Sequence, residues 1–179
     1  MDPVDRPSAA EERARYETHR NDPSDAGYRE FLSRLSCPLA ARLPAGAHGL
    51  DYGSGPGPTL SVMLQELGFR TAIYDPFFAP NPQHLEQSWD FITCSETAEH
   101  FYNPSAEFDR IDALLKRGGW LALMTGVRDR ETDFASWWYT RDPTHVCFYR
   151  PATLEWIAHR YNWGLDRPSK NVALYYKPV

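Results

Sequence analysis

The sequence has 179 residues, of which 42% are hydrophobic, and a formal net charge of −5 at pH 7. This length allows one compact domain with a buried core and excludes two ordinary domains joined by a linker. The negative charge argues against a broad nucleic-acid-binding surface, and no apolar stretch approaches the roughly 20 residues that cross a bilayer. The N-terminal residues also lack the apolar segment of a secretory signal. We therefore expect a cytoplasmic protein whose partner is a small molecule or a local protein site, with no nucleic acid and no membrane.

Two helices are predicted ahead of the first strand. Helix formers run from residue 9 to about residue 21, and apolar side chains recur on one face of residues 26–35. We expect the chain to divide into an N-terminal tail and helical lid at residues 1–45 and an α/β domain at residues 46–179.

From residue 46 onward strands alternate with helices, which is typical of parallel strands joined by crossover helices. The segment 76–88 is short and rich in proline, so the crossover helix and third strand expected in such a sheet are shortened or missing. Gly118 and Gly119 are predicted to form a turn. The predicted strands are 48–52, 70–74, 89–94, 120–125 and 171–177, the last with a partner near 164–167, and the predicted helices are 58–67, 105–115 and 152–161. The fold class is a doubly wound Rossmann-like α/β sheet, mostly parallel, with an antiparallel last strand.

A glycine-rich turn joins the first predicted strand to the helix that follows it. Gly53 permits a sharp turn, Gly55 leaves room for a ligand to approach the backbone, and Gly57 lets the helix pack close to the strand. Asp75 ends the next strand, where a carboxylate can accept hydrogen bonds from both hydroxyls of a ribose. A turn without a ligand and an Asp75 that only caps a helix or ends a strand in solvent are the alternatives.

The segment D-Y-G-S-G-P-G at residues 51–57 resembles the acidic-x-G-x-G-x-G signature of the class I S-adenosylmethionine-dependent methyltransferases. The dinucleotide-binding fingerprint G-x-G-x-x-G would need glycine where Pro58 stands. Residues 89–101 resemble the fourth strand and following loop of the ubiquinone-biosynthesis type, and L-L-K-R-G-G-W-L-A-L-M-T resembles its next turn and strand. Within that group, residues 12–21 and 139–149 are similar to bacterial methyltransferase-domain proteins of unassigned substrate.

The resemblance implies S-adenosylmethionine as the cofactor and a set of residues that bind it. The glycines would line its methionine end, Asp51 would face its ammonium group, and Asp75 would hold the ribose hydroxyls. Ser95 and Glu96 would lie near the adenosine and the sulfonium. The helix that carries Tyr16 and His19 would close over the cofactor or only pack on the core. The complete predicted set is Tyr16, His19, Asp51, Gly53, Ser54, Gly55, Gly57, Asp75, Ser95 and Glu96. No residue of the shortened segment is assigned to the adenine amino group.

Methyl transfer is an in-line displacement, so alignment and exclusion of water matter more than catalytic side chains. If the acceptor is a hydroxyl, His145 is the predicted general base, with His100 as its competitor. Asp142 could orient His145 or could only form a turn with the proline that follows it. A histidine held for structural reasons is the alternative. Glu96 and Glu99 with His100 have no spacing typical of a metal site, so no metal is predicted.

The sequence thus predicts an S-adenosylmethionine-dependent methyltransferase that acts on a small-molecule acceptor, with O-methylation favoured. A non-catalytic cofactor-binding regulatory or assembly subunit is one alternative. A nicotinamide-dependent oxidoreductase is a second alternative, which Pro58 disfavours. Six aromatic residues follow the predicted strand 120–125. They would either form a wall of the acceptor pocket or cover the edge of the sheet. They are Phe134, Trp137, Trp138, Tyr139, Phe148 and Tyr149.

Overall fold

A six-stranded sheet forms the centre of the protein in the computed structural model, which describes residues 6–18 and 21–179. The strands are β1 (His48–Tyr52), β2 (Arg70–Tyr74), β3 (Trp89–Ser95), β4 (Leu115–Met124), β5 (Gly164–Ser169) and β6 (Val172–Tyr176). Their spatial order is β2-β1-β3-β4-β6-β5. The first four pair in parallel, whereas β6 runs antiparallel to both β4 and β5. The predicted doubly wound sheet with an antiparallel last strand is therefore confirmed.

Helices cover both faces of the sheet because side chains that alternate along each buried strand point to opposite sides. The helices are α1 (Ala9–Tyr16), α2 (Ala26–Ala40), α3 (Thr59–Glu66), α4 (Pro104–Leu114) and α5 (Pro151–Tyr161). On one face α2 and α3 pack against Phe91, Ala122 and Leu174. On the other face α4 and α5 pack against Ile92 and Leu123. None of the helices in the described part of the chain is long and apolar enough to cross a membrane.

The two N-terminal helices differ in length from their predictions. A capping box between Ser8 and Glu11 starts α1, which ends at Tyr16 rather than near residue 21. In contrast, α2 continues five residues past the predicted end at residue 35 and contains Pro38. Full burial of Leu39 against the sheet explains the extra turn, because tertiary packing outweighs the low helix propensity of proline.

Two other segments test the predicted boundaries of the strands. Between Asp75 and β3 the only regular element is a 3-10 helix at Pro82–Leu85, so the shortened third-strand region is confirmed and β2 is an edge strand. The predicted turn at Gly118 and Gly119 is wrong. Both residues lie within β4, because the Gly118 N–H donates to Lys177 O and the Gly119 carbonyl accepts from Lys177 N, at 2.7 and 2.9 Å. These bonds keep the segment in the sheet.

Candidate active site

A cavity of about 710 Å³ lies where β2, β1 and β3 end, and the loop after β4 covers one side of it. The carboxyl ends of parallel strands meet at this edge, which is where such sheets bind ligands. All of the predicted site residues except His19 line this cavity: Tyr16, Asp51, Gly53, Ser54, Gly55, Gly57, Asp75, Ser95, Glu96, His100 and His145. His19 lies outside the described residues.

The glycine turn forms the floor of the cavity beside β1 and β2. Gly53 has a φ of +80°, and a Cβ there would lie 2.1 Å from the Thr97 Cγ2 atom, so no other residue fits without displacement. Gly55 has a φ of +64°, and among the described residues a Cβ on it would meet only the Asn21 side chain, at 3.9 Å. The space above Gly55 is therefore open toward the cavity, as a ligand contact with backbone requires.

Gly57 has a role that differs from the predicted one. A Cβ on Gly57 would lie 2.3 Å from the backbone oxygen of Asn21, so the close neighbour is the segment ahead of α2 and not the strand. The same oxygen accepts a hydrogen bond of 2.8 Å from Thr59 Oγ1 at the start of α3. No sequence pattern indicated this contact, because residues distant in sequence make it.

Asp75 is 7% exposed and binds the turn directly. Its Oδ2 accepts a hydrogen bond from the Gly55 N–H at 2.9 Å, and its Oδ1 accepts from the Phe77 and Phe78 N–H groups at 2.8 and 3.0 Å. A carboxylate has about four acceptor positions, so about one remains for a ribose hydroxyl rather than two. Asp75 therefore holds the backbone in place at the cavity and keeps limited capacity for a ligand.

Asp51 is 3% exposed, and burial raises its pKa to about 6 although the Thr93 hydroxyl donates to Oδ1 at 2.7 Å. A nearby cation would restore its ionised form. The hydroxyl oxygens of Ser54 and Ser95 are buried and make no hydrogen bond within the described part of the chain. These three groups line one cavity and lack a full set of partners, which is the expected state of a site for a polar ligand.

α1 lies over the cavity and contacts both of its sides. The Arg15 Nη2 atom lies 2.8 Å from Asp142 Oδ2 on the loop after β4. The Tyr16 ring lies 5.9 Å from that of Phe77 and 5.2 Å from that of His100. These contacts hold α1 against both sides of the cavity.

At the end of β3 two carboxyl groups approach each other inside the cavity. Glu99 is fully buried, and Tyr139 OH donates to its Oε1 atom while Thr125 Oγ1 donates to its Oε2 atom at 2.9 Å. Glu96 has a φ of +47°, and it lines the same cavity. Burial and the proximity of Glu99 raise the pKa of Glu96 far above its usual value, and burial also raises that of Glu99. Both shifts have the same direction, because burial disfavours the charged form of each carboxyl group.

The two predicted histidines lie beside this pair. The His145 Nδ1 atom is 2.7 Å from Tyr139 O, and the His100 Nδ1 atom is 3.0 Å from Thr144 O. Since a carbonyl only accepts, each Nδ1 carries a proton, so in the neutral form of either ring the lone pair is on Nε2. The rings lie 4.9 Å apart. Burial lowers the pKa of His145.

The Asp142 carboxylate does not bond to the His145 imidazole, although the Asp142 backbone oxygen accepts from the His145 backbone N–H at 3.1 Å. Its Oδ1 accepts from Thr144 N and Thr144 Oγ1, at 3.0 and 2.6 Å, and its Oδ2 binds Arg15. Burial raises the pKa of Asp142, but the hydrogen bonds from Arg15 and Thr144 outweigh burial and lower it well below its usual value. The alternative in which Asp142 and the following proline form a turn is the one observed. The Tyr139 carbonyl orients the imidazole instead.

The aromatic residues after β4 divide between two roles. Trp138 and Tyr139 line the cavity. Phe134 and Trp137 instead pack on Phe148, with ring centroids 5.0 and 5.9 Å from it, and Tyr149 is buried in the core. Thus the pocket wall and the sheet cover are both present in one segment.

Several cavity residues escaped the sequence analysis. Tyr52 directly precedes Gly53 and accepts from Arg110 Nη1 at 3.0 Å, and its position at the end of a strand was the available signal. Tyr28 and Phe31 on α2 also line the cavity, but the sequence pattern indicated only that they lie on one face of a helix. Asn21 ends the segment 12–21 that resembles bacterial methyltransferase-domain proteins, but that resemblance assigned no role to it.

A family described as a methyltransferase domain matches residues 16–166. No curated protein matches the chain. The Burkholderia thailandensis 1,6-didemethyltoxoflavin-N1-methyltransferase, solved with S-adenosylhomocysteine, is 18% identical, with a TM-score of 0.67 over 96% of this chain and 89% of that chain. An S-adenosylhomocysteine-bound methyltransferase of calicheamicin biosynthesis is 17% identical, with a TM-score of 0.56 over 84% of this chain. The mitomycin 7-O-methyltransferase is 14% identical, with a TM-score of 0.56 over 85%.

This chain spans 55% and 57% of the lengths of the calicheamicin and mitomycin enzymes. Similarity at this level of identity shows a shared fold, while the family match covers most of the chain. The chain therefore belongs to the methyltransferase-domain family and has the class I S-adenosylmethionine-dependent methyltransferase fold.

Proposed function

We propose that this protein transfers the methyl group of S-adenosylmethionine to a hydroxyl group of a small-molecule acceptor in the cytoplasm. One observation carries the proposal. The glycine turn, the buried carboxylates of Asp51 and Asp75, and the imidazoles of His100 and His145 all line one cavity. The net charge of −5 supports a small acceptor over a nucleic acid. The proposal divides the chain into a lid segment at residues 1–45 and a cofactor-binding domain at residues 46–179.

The residues on the β1 and β2 side fit the cofactor. The open space above Gly55 would take its methionine end, and Asp51 would pair with its ammonium group. The remaining acceptor position of Asp75 would take a ribose hydroxyl. The unsatisfied hydroxyls of Ser54 and Ser95 would gain hydrogen bonds that the described part of the chain does not supply. Tyr16 would cover the bound ligand from α1.

S-adenosylmethionine supplies an electrophilic methyl group: the acceptor oxygen bonds to its carbon as the carbon–sulfur bond breaks and the electron pair returns to sulfur. The β3 and β4 side would hold the acceptor. There, His145 and His100 are proposed to activate the hydroxyl, since each has an Nε2 lone pair that can take a proton. Trp138 would contact the acceptor at the rim.

The fold does not choose the acceptor atom, because the similar structures include both an N-methyltransferase and an O-methyltransferase. The histidines favour a hydroxyl, which must lose a proton. We propose calorimetric titration with S-adenosylhomocysteine and NAD, followed by transfer of a labelled methyl group to phenols, alcohols and amines. S-adenosylhomocysteine should bind in the micromolar range and phenols or alcohols should be methylated. Binding without turnover on any acceptor would support a non-catalytic subunit instead, and preferential binding of NAD would contradict the proposal.

A further inference from the structure

We infer that Glu99, His100 and His145 form a binding site for one divalent first-row transition-metal cation at the acceptor side of the cavity. One potential ligand atom from each residue lies within 4.8 Å of the others. Bonds of about 2.0–2.2 Å to a common cation place two ligand atoms at most about 4.4 Å apart, so small side-chain movements complete the set. The inference rests on the proposed function and specifies how the acceptor is activated.

The hydrogen bonds around these residues are those of a metal site. A histidine that binds a metal usually donates its other ring N–H to a carbonyl or carboxylate, which fixes the ring and its tautomer. His145 donates to Tyr139 O and His100 to Thr144 O, each through Nδ1. The sequence could not reveal this set, because His145 joins the other two only through the fold.

The backbone also holds the three residues in register. The Val146 and Cys147 N–H groups both donate to the Glu99 backbone oxygen, at 2.8 and 2.9 Å. The loop that carries His145 is therefore bonded directly to the 3-10 helix Ala98–His100. Such preorganisation keeps ligands in place before a cation binds.

The carboxyl pair points to the same ligand. Each oxygen of Glu99 accepts one hydrogen bond from Tyr139 or Thr125 and retains a second lone pair. Glu96 has a left-handed backbone conformation and lines the same cavity. Glu96 could therefore serve as a further oxygen ligand of the same cation.

Other uses of these groups explain less of the arrangement. A general base needs one imidazole, but here two imidazoles and two carboxyl groups converge. A protonated primary amine has only three N–H donors and cannot bond to all four groups at once. A cation instead uses every group, and it would bind the acceptor oxygen and weaken its O–H bond.

The donor set selects the class of cation. Two imidazole nitrogens with carboxylate oxygens suit Zn²⁺, Fe²⁺, Co²⁺ or Mn²⁺, whereas Mg²⁺ and Ca²⁺ prefer oxygen ligands alone. We therefore expect Zn²⁺ to bind with a stoichiometry of one and Mg²⁺ to compete poorly.

The test is calorimetric titration of Zn²⁺ into the full-length protein after treatment with EDTA, with Co²⁺ absorption in the visible region as a second readout. Loss of an outer-shell partner typically costs about 10- to 100-fold in metal affinity. Glu99→Gln and His145→Ala should each cost at least that much and abolish the Co²⁺ band. Tyr139→Phe removes only a hydrogen bond to Glu99, so it should reduce the Zn²⁺ affinity less than the two ligand variants do. His159→Ala, on the exposed side of α5, is the matched control and should bind like the wild type.

If Glu99→Gln does not fold, His145→Gln and His100→Gln replace it, because these half-buried side chains can change without an unpaired buried charge. No stoichiometric binding of Zn²⁺, Co²⁺ or Mn²⁺ would overturn the inference, and so would equal affinity in the wild type and the His145 variants. S-adenosylhomocysteine is titrated into the same EDTA-treated protein. Binding of this ligand with no metal site would leave the proposed function intact, while its failure to bind would remove the proposed function whatever the metal result.

Discussion

Gly57 and Asn21 are in direct backbone contact at the entrance to the cavity. A Cβ on Gly57 would lie 2.3 Å from the Asn21 carbonyl oxygen, and Thr59 Oγ1 donates to the same oxygen at 2.8 Å. The third glycine of the turn therefore attaches the N-terminal segment to the start of α3. This contact couples the position of the segment that carries α1 to the conformation of the turn.

Gly57→Ala should displace this segment, because a carbonyl oxygen at that distance cannot coexist with a methyl group. We expect the affinity for S-adenosylhomocysteine to fall by about tenfold or more, since both the turn and the lid would shift. Calorimetry and thermal unfolding measure the two effects. Gly27→Ala in α2 is the control, because its Cβ would meet only Asp25 Oδ1, at 3.4 Å. Unchanged affinity in Gly57→Ala would show that the contact does not shape the site.

Gly55→Ala should block the ligand rather than the fold. The new methyl group would occupy the open space toward the cavity, at a backbone position that costs about 1–2 kcal/mol for a residue with a Cβ. Gly46→Ala is a matched control, because Gly46 has a φ of +72° and nothing within 4 Å of its Cβ position. Both variants should lose similar stability in denaturant unfolding, and only Gly55→Ala should lose S-adenosylhomocysteine affinity. Equal affinities in the two variants would contradict the assigned role of Gly55.

The sequence was sufficient to predict the strands and the position of the glycine turn and Asp75 at one cavity, because the signals there are local. The strand His48–Tyr52, the glycine turn and Asp75 follow one another within one continuous unit of the chain. Hydrophobic runs and glycines determine that unit without help from the rest of the fold.

The acceptor side depended on contacts between distant segments, which sequence patterns do not report. Glu99 meets Tyr139 and Thr125 only after β3 and β4 pair. The role of Asp142 was open because its neighbours along the chain favoured a turn and its partner Arg15 lies in α1. For the same reason α2 is longer than predicted, because the burial of Leu39 depends on packing against the sheet.

The affinity for S-adenosylhomocysteine should fall as the pH drops below about 6. Burial raises the pKa of Asp51 to about 6 from a usual value of 3.8, so the folded protein takes up a proton in this window. Ionising Asp51 as the pH rises destabilises the folded state, and a bound ammonium group would offset that cost. The dissociation constant should therefore rise by up to about tenfold per pH unit below 6. Asp51→Asn should bind more weakly at pH 7 and show a flat profile between pH 5 and 7, and a wild-type slope in that variant would assign the titration elsewhere.

Releasing α1 should weaken cofactor retention without unfolding the protein. Arg15→Gln with Tyr102→Phe removes the Arg15–Asp142 ion pair and the hydrogen bond from Tyr102 to Glu12. Arg15 is 44% exposed, and such pairs contribute at most about 1 kcal/mol to stability, so the melting temperature should change little. Stopped-flow measurements should show faster dissociation of S-adenosylhomocysteine. Arg29→Gln, which breaks an ion pair with Glu66 away from the cavity, is the control. Matching dissociation rates in the two variants would mean that α1 only packs.

His145 should contribute to the methyl-transfer rate and not to cofactor binding. Its ring is held by the Tyr139 carbonyl on the acceptor side, and no contact joins it to the glycine turn or to Asp75. His145→Gln should therefore reduce the rate by about 100-fold or more while S-adenosylhomocysteine affinity stays within a few fold. His100→Gln should have a smaller effect if His145 is the principal activating residue, and a larger one if the two roles are reversed. His159→Gln is the exposed control. Thermal unfolding of each variant separates catalysis from packing: if the rate and the melting temperature of His145→Gln fall together, or if the rate changes little, His145 is a structural histidine that holds the loop after β4 against Glu99.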